Sequence, residues 1–397
     1  MRIIIYIFLS LSLLKAQNID QLIDRSLKKH PSLKTIQHRL SAMDERIEKS
    51  QNWANPDLAF TINDIQFDDI TNRSLEPMQY QAVNFKQKFP WFGKLDARKA
   101  YAKEQKHIVL DSYHAARVQL ALQIRTTAYT IKELEDRIHI LRKYSQLARQ
   151  NIQLFTNTIA TDSMSHADSI TAELSLSKID IRRERYNSIL RSQKEKLVYL
   201  VQRKVTIISN TLSIQKPGSI GKYLNKVTNN PTYQMKLTQN RAANANKKLI
   251  DLDSNPDPFV QVGYFNRTDY EDYASISVGF SVPLYGTEAL NSEIARKETL
   301  ATQSAALDYK SFLDSEIHAN FTKLREAYHI YKIIQVKSLP QIDHMLELSS
   351  SAIEEGADLF TYTNILEQKL ALEEESIAIK AEYQRTTAKL KALTGEI

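Results

Sequence analysis

Between Gly93 and Pro217 the chain runs for 123 residues without a glycine or a proline. These two residue types are the strongest local breakers of regular structure, and a structureless loop of that length has no place inside a compact domain. The stretch is rich in Leu, Ala, Arg, Glu, Lys and Gln, which are good helix formers. Helix over most of it is the only economical reading. In all 397 residues there are only eight Gly and ten Pro, so where they do occur they act as punctuation.

That punctuation repeats. Phe89-Pro90-Trp91-Phe92-Gly93-Lys94-Leu95 ends an alternating run and opens a helical one, and Val282-Pro283-Leu284-Tyr285-Gly286-Thr287-Glu288 does the same at an offset of 193. Pro90 and Gly93, and their counterparts Pro283 and Gly286, mark two strand-to-helix corners. Upstream of each corner, two X-Pro steps stand 25 residues apart: His30-Pro31 to Asn55-Pro56, and Asn230-Pro231 to Asn255-Pro256. The residue before a proline avoids the α region, so these steps bound short helices. Two matched sets of spacings indicate an internal duplication.

Each repeat reads as short helix, β-hairpin, long helix, turn and returning helix. The first spans residues 17–216, with strands at about 56–67 and 78–89 and long helices at about 95–160 and 167–204. The second spans 217–397, with strands at about 258–266 and 272–283, long helices at about 288–355 and 358–395, and a kink expected at Pro340. A helix over 95–160 is about 100 Å long at 1.5 Å per residue. Its later part carries Ile131, Leu134, Ile138, Leu141, Ser145, Ala148, Ile152, Phe155 and Ile159 at coiled-coil spacing. The last helix carries Ile365, Leu372, Ile379, Thr386 and Leu393 at sevens.

The strands alternate. Ile276, Val278, Phe280 and Val282 fall on one side of their run, and Ser275, Ser277, Gly279 and Ser281 on the other. Such a pattern suits a membrane strand with lipid outside and water inside, although a half-buried strand of a soluble core would alternate in the same way. Counting separates the two. About four strands cannot close a barrel, which needs about eight, and everything after each hairpin is helix. Three copies of the chain would supply twelve strands. The fold class expected is mainly α with a β membrane part.

Met1-Arg2, an apolar run from Ile3 to Leu14 and then Lys15-Ala16 have the plan of a secretory signal over residues 1–16. There is no Cys, which excludes disulfides, thiolate metal sites, a Cys nucleophile and a lipid anchor on Cys. The formal charge of +7 falls to +5 without Arg2 and Lys15, and the charges are interspersed along helices. This implies solvated faces, with no nucleic-acid footprint.

This order of parts resembles the TolC-type outer-membrane efflux family over residues 17–397. The likeness rests on the Asn-Pro strand starts, the Pro-Trp-Phe-Gly-Lys-Leu corner, and Gly356-Ala357-Asp358-Leu359-Phe360 through Ile365-Leu366-Glu367 opening the last helix. The corner text is most similar to the CusC and CzcC branch, which serves heavy-metal efflux. The resemblance implies a homotrimer in the outer membrane of a Gram-negative bacterium, with a twelve-strand barrel continued by an α-helical tunnel. It also implies a periplasmic adaptor (membrane fusion protein) and an inner-membrane pump as partners, outer-membrane lipid around the barrel, and no cofactor. The function implied is a passive export conduit for small solutes, heavy-metal cations among them, with secretion of polypeptides as the alternative. Aligned on Gly356, which with Asp358 would form the turn at the periplasmic tip, the tunnel constriction falls at Asn364 and Glu367. Read on its own residues, Glu367 is equally a solvated helix-face charge, and Asp358 a helix N-terminal acid favoured by the helix dipole.

Other constellations are weaker. Glu104 with His107 and Glu326 with His329 have the Glu-x-x-His spacing of dimetal bundles, and Asp111 and His114 extend the first face. A periplasmic metal-binding bundle is therefore the reading from a different class, but the repeat offset does not relate the two pairs. Met164, His166 and Asp168 cluster at a helical hairpin, which a polar turn explains as well. Gly218-Ser219-Ile220-Gly221-Lys222 is too short for a phosphate loop. No arrangement of nucleophile, base and strand-turn-helix suggests an enzyme.

Overall fold

In the computed structural model, which describes residues 18–158, 165–205, 208–353 and 359–397, the long breaker-free stretch forms two helices, α3 (Lys94–Thr158) and α4 (Ser165–Val201). Before them come α1 (Ile19–Lys29), α2 (Pro31–Lys49), β1 (Asp57–Asn63) and β2 (Tyr80–Lys88). After them come the single turn α5 (Gly221–Leu224), α6 (Pro231–Asp253), β3 (Pro258–Asn266), β4 (Tyr273–Phe280), α7 (Thr287–Ile333), α8 (Leu339–Ile353) and α9 (Leu359–Leu393). The signal at 1–16, Met164 at the first helical hairpin, and Gly356 and Asp358 at the second turn lie outside the described residues.

Between α7 and α8 the helix passes through a π-helical turn, Ile334–Ser338. Pro340 lies just beyond it. A proline removes one N–H and crowds the carbonyl four residues earlier, here Val336, and the wider turn relieves that clash. Where a kink was expected at Pro340, the structure shows this π-helical turn just ahead of it, and Gln335 in the turn donates to Ser376 of α9 at 3.1 Å.

The chain divides into two compact units. The first, from Thr35–Tyr113 and Pro231–Lys310, holds the sheet. All four strands pair antiparallel in the order β1-β2-β3-β4, so β1 and β4 are its edges. The register aligns Leu58, Phe85, Val262 and Ile276 in one row and Phe60, Val83, Tyr264 and Ala274 in another. Residues opposite each other on antiparallel strands share a face, so these rows build one apolar face. Phe60 is 78% and Ile276 75% exposed, so that face has no core to cover it in the single chain. The opposite face carries Asn84, Gln261, Gly263, Ser275, Ser277 and Gly279.

The corner after β2 is fixed by an ion cluster. Lys94 is buried, and its Nζ donates to the Asn255 carbonyl at 2.7 Å and to Asp257 at 2.8 Å, with Asp253 at 3.5 Å. The same Asp257 carboxylate accepts the Trp91 N–H at 2.8 Å. Gly93 has φ +83° and Gly286 φ +71°, in the left-handed region where a side chain is strained. These glycines let each strand hand over to a helix in a single step. Beyond the corner, α2 and α6 are tied to α3 about five turns along it: Tyr113 accepts from Gln37 at 3.0 Å and Asp111 from Thr238 at 2.6 Å.

The second unit, from Met1–Lys34, His114–Asn230 and Ser311–Ile397, is mainly helical among its described residues. The α3 seam is buried at Ile131, Leu134, Ile138, Leu141, Ser145 and Ala148. Its core includes Leu141 and Tyr144 of α3, Ile179 of α4, and Leu366 and Leu370 of α9. Polar groups run through the same packing. Arg182 of α4 donates to the buried Glu374 of α9 at 2.8 Å, Glu133 of α3 takes Arg137 at 2.9 Å and is also bonded by Arg385, and Asp20 of α1 takes Arg125 at 2.8 Å.

Two outcomes are expected on unfolding the detergent-solubilised protein by denaturant. Gly93→Ala lowers stability by about 1 kcal/mol and Gly93→Asn by less, because Asn tolerates left-handed backbone. Arg182→Gln costs about 2–3 kcal/mol because it strands a buried carboxylate, and the double variant Arg182→Gln/Glu374→Gln recovers part of that loss.

Candidate functional site

The two returning helices are laid side by side by the repeat. Ser175 of α4 donates to Glu367 of α9, and seven residues further along each helix Arg182 donates to Glu374. Both pairs are 192 residues apart, close to the offset of the corners. Seven residues is two turns at coiled-coil pitch, so both contacts fall on one seam, and both helices run in the same direction along it. Equivalent positions of the two repeats thus meet each other.

Glu367 is half-buried. It lines a small, partly open cavity of about 10 Å³ with Tyr144, Asn151, Ser175 and Thr363. It is therefore held by a donor on the neighbouring helix of its own chain, which the reading of a purely solvated charge did not foresee. Asn364, one turn earlier, is exposed, and its side-chain oxygen accepts from Gln368 at 3.3 Å. The structure does not join Asn364 and Glu367 through a direct bond; they share one end of α9 in sequence order, and the turn residues Gly356 and Asp358 are not described.

Further along α3 the electrostatics are set by burial against pairing. Burial, the largest single influence, would lower Arg137, but Glu133, Tyr186 and Glu374 together outweigh it and the guanidinium is held above its usual range. Arg137 also donates to the Tyr186 hydroxyl at 2.9 Å. Burial and the Glu373 carboxylate push the Tyr144 hydroxyl far up, so it stays protonated at any physiological pH. None of these groups is poised as an acid or base. They form a fixed polar lining among packed helices.

Of the metal-bundle residues, Glu104 is paired with Arg241 at 3.2 Å and Asp111 accepts from Thr238. Among the described residues no group of three or more His, Asp or Glu is placed to hold a metal ion. The side chains of His166 and Asp168 lie outside the described set. Sequence reasoning missed Ser175, Arg182 and Glu374. Their signal was present as a second seven-residue step at the repeat offset, but it needs the two returning helices to be adjacent before it means contact.

Residues 22–197 match the outer membrane efflux protein family. Among solved structures the chain is similar to the outer membrane protein VceC from Vibrio cholerae, with a TM-score of 0.79 at 14% identity, covering 95% of this chain and 96% of that one. It is similar to the Campylobacter jejuni CmeC outer membrane channel at 0.77 and 13%, covering 96% and 86%. It is similar also to CusC at 0.74 and 12%, covering 97% and 96%. CusC is thus one neighbour among several, and the likeness does not single out its branch. No curated protein matches the chain in sequence. The family match spans the first hairpin and the long helices after it, and the fold of these outer membrane channels is shared over 95% or more of the chain.

Proposed function

We propose that three copies of the chain close their sheets into one twelve-stranded barrel in the outer membrane of a Gram-negative bacterium. Their helices continue it as a tunnel through the periplasm. The assembly is the passive outer conduit of a tripartite efflux system, engaged by a periplasmic adaptor and energised by an inner-membrane pump. The observation that carries this reading is the four-stranded sheet with two free edges and an uncovered apolar face, joined at both corners to long helices. Among the described residues no helix is long and apolar enough to cross a membrane. A closed β-barrel is one way for backbone to span lipid with every polar group satisfied.

In this proposal residues 1–16 are the export signal, and residues 17–216 and 217–397 are the two structural repeats. The cargo is small solutes. Heavy-metal cations are supported only by the Pro90 to Leu95 corner text. The constriction is placed at Asn364 and Glu367 on the opening turns of α9, next to the tip turn at Gly356 and Asp358. A ring of three Glu367 carboxylates would hold cations and repel anions there.

Single-channel recording in planar bilayers tests this placement. Glu367→Ala is expected to raise conductance or weaken block by divalent cations, whereas Ser175→Ala, which removes the donor and keeps the charge, retains the block. Unchanged conductance and block in Glu367→Ala would return that residue to an ordinary surface charge.

A further inference from the structure

The four strands carry three charged side chains, Asp57 on β1 and Lys86 and Lys88 on β2. All three stand on the Ser and Gly face. Lys86 is in register with Gln261 and through it with Ser277, and Lys88 with Phe259 and Gly279. In the conduit reading, on which this inference rests, that face lines the water-filled lumen.

Asp57 is directly opposite Lys86 in the ladder. Opposite charges so placed attract, yet no ion pair joins them. Lys86 Nζ instead lies 4.0 Å from the centroid of the Phe259 ring. The ring can take that position because its cross-strand partner is a glycine. A Cβ on Gly279 would meet Phe259 at 2.6 Å, so any other residue there would push the ring out of place. Gly279, Phe259 and Lys86, from three successive strands, form a stack that draws the ammonium toward β3 and away from the carboxylate on β1.

We propose that Lys86 and Lys88 form a cationic collar inside the barrel that favours small anionic solutes over cations, with Phe259 positioning Lys86. Each chain contributes two ammonium groups against one carboxylate, and among the described residues none of the three is paired with an opposite charge. A lumen lined by an excess of one charge concentrates the opposite ion and raises its rate of entry. The collar and the Glu367 constriction would then act on ions of opposite sign at different places along one path.

The test uses the purified full-length protein in planar bilayers under a salt gradient, with the reversal potential as readout. Lys86→Gln/Lys88→Gln is expected to lower the anion-to-cation permeability ratio by about twofold or more at low salt, and by less where the Debye length shortens to about 3 Å near 1 M. Phe259→Leu keeps both lysines but frees Lys86 to reach Asp57, so it lowers the ratio part of the way, and adding Asp57→Asn restores it. An unmoved ratio in the double lysine variant, in channels of normal conductance, overturns the collar and leaves the conduit intact. An unmoved ratio in Phe259→Leu overturns the role given to that ring. Protein that forms no conducting trimer overturns the conduit reading and the collar with it.

Discussion

The backbone hydrogen-bonding groups along the outer edges of β1 and β4 set the terms for this molecule. In the single chain they have no strand to pair with, and the face they border is apolar and uncovered. A soluble protein with such a sheet would be an aggregation hazard. In lipid the apolar face is satisfied at once, but the edges become far more costly, because hydrocarbon offers no donor or acceptor in place of water. Pairing β1 of one copy with β4 of the next satisfies both demands. Four strands per chain make the smallest such closure a multimer, and that is why oligomeric state, membrane placement and function are a single question here.

The corners and the helical seam answer the same demand. At each corner a strand gives way to a helix after only five or six residues. Gly93 and Gly286 supply the left-handed backbone for the step, and buried Lys94, with Asp257 and the Asn255 carbonyl, holds the first corner to the start of β3. In the helical unit, Ser175 with Glu367 and Arg182 with Glu374 place the same repeat positions face to face. Such polar contacts add less to stability than apolar packing would, but they penalise any slip of one helix along the other, since a slip would leave a buried carboxylate unpaired. Register along the seam is what would keep three copies of a narrow tunnel equivalent.

Much of this was legible in the residues because the repeat prints its own punctuation. The breaker-free run dictated the long helices, and the strict alternation of β4 gave both of its faces. The β3 text was less readable: Phe259 and Phe265 stand on the face of Ser and Gly, where apolar residues break the alternation. The structure supplies the reason, since their rings occupy the space over Gly279 and Gly263, which no linear pattern displays. Lys94 looked like one more helix charge and is buried in an ion cluster, because Asp257, its partner, is more than 160 residues away in sequence. Glu367 was reached through the family's turn, whereas its donor Ser175 depends on which helices are neighbours, and that is a property of the packed bundle.

The shared barrel stands or falls on the pairing of β1 with β4 between copies. The chain has no Cys, so an engineered pair reports on that contact alone. With one Cys placed on the outer edge strand β1 and one on β4, at facing positions on the Ser and Gly side, mild oxidation of the protein in outer-membrane fractions should give a ladder of two and three covalently joined chains. Either single variant, which lacks the facing thiol, should give no covalently joined chains. Chains that stay uncrosslinked in every tested register, or that close β1 onto β4 within one copy, would contradict the shared barrel.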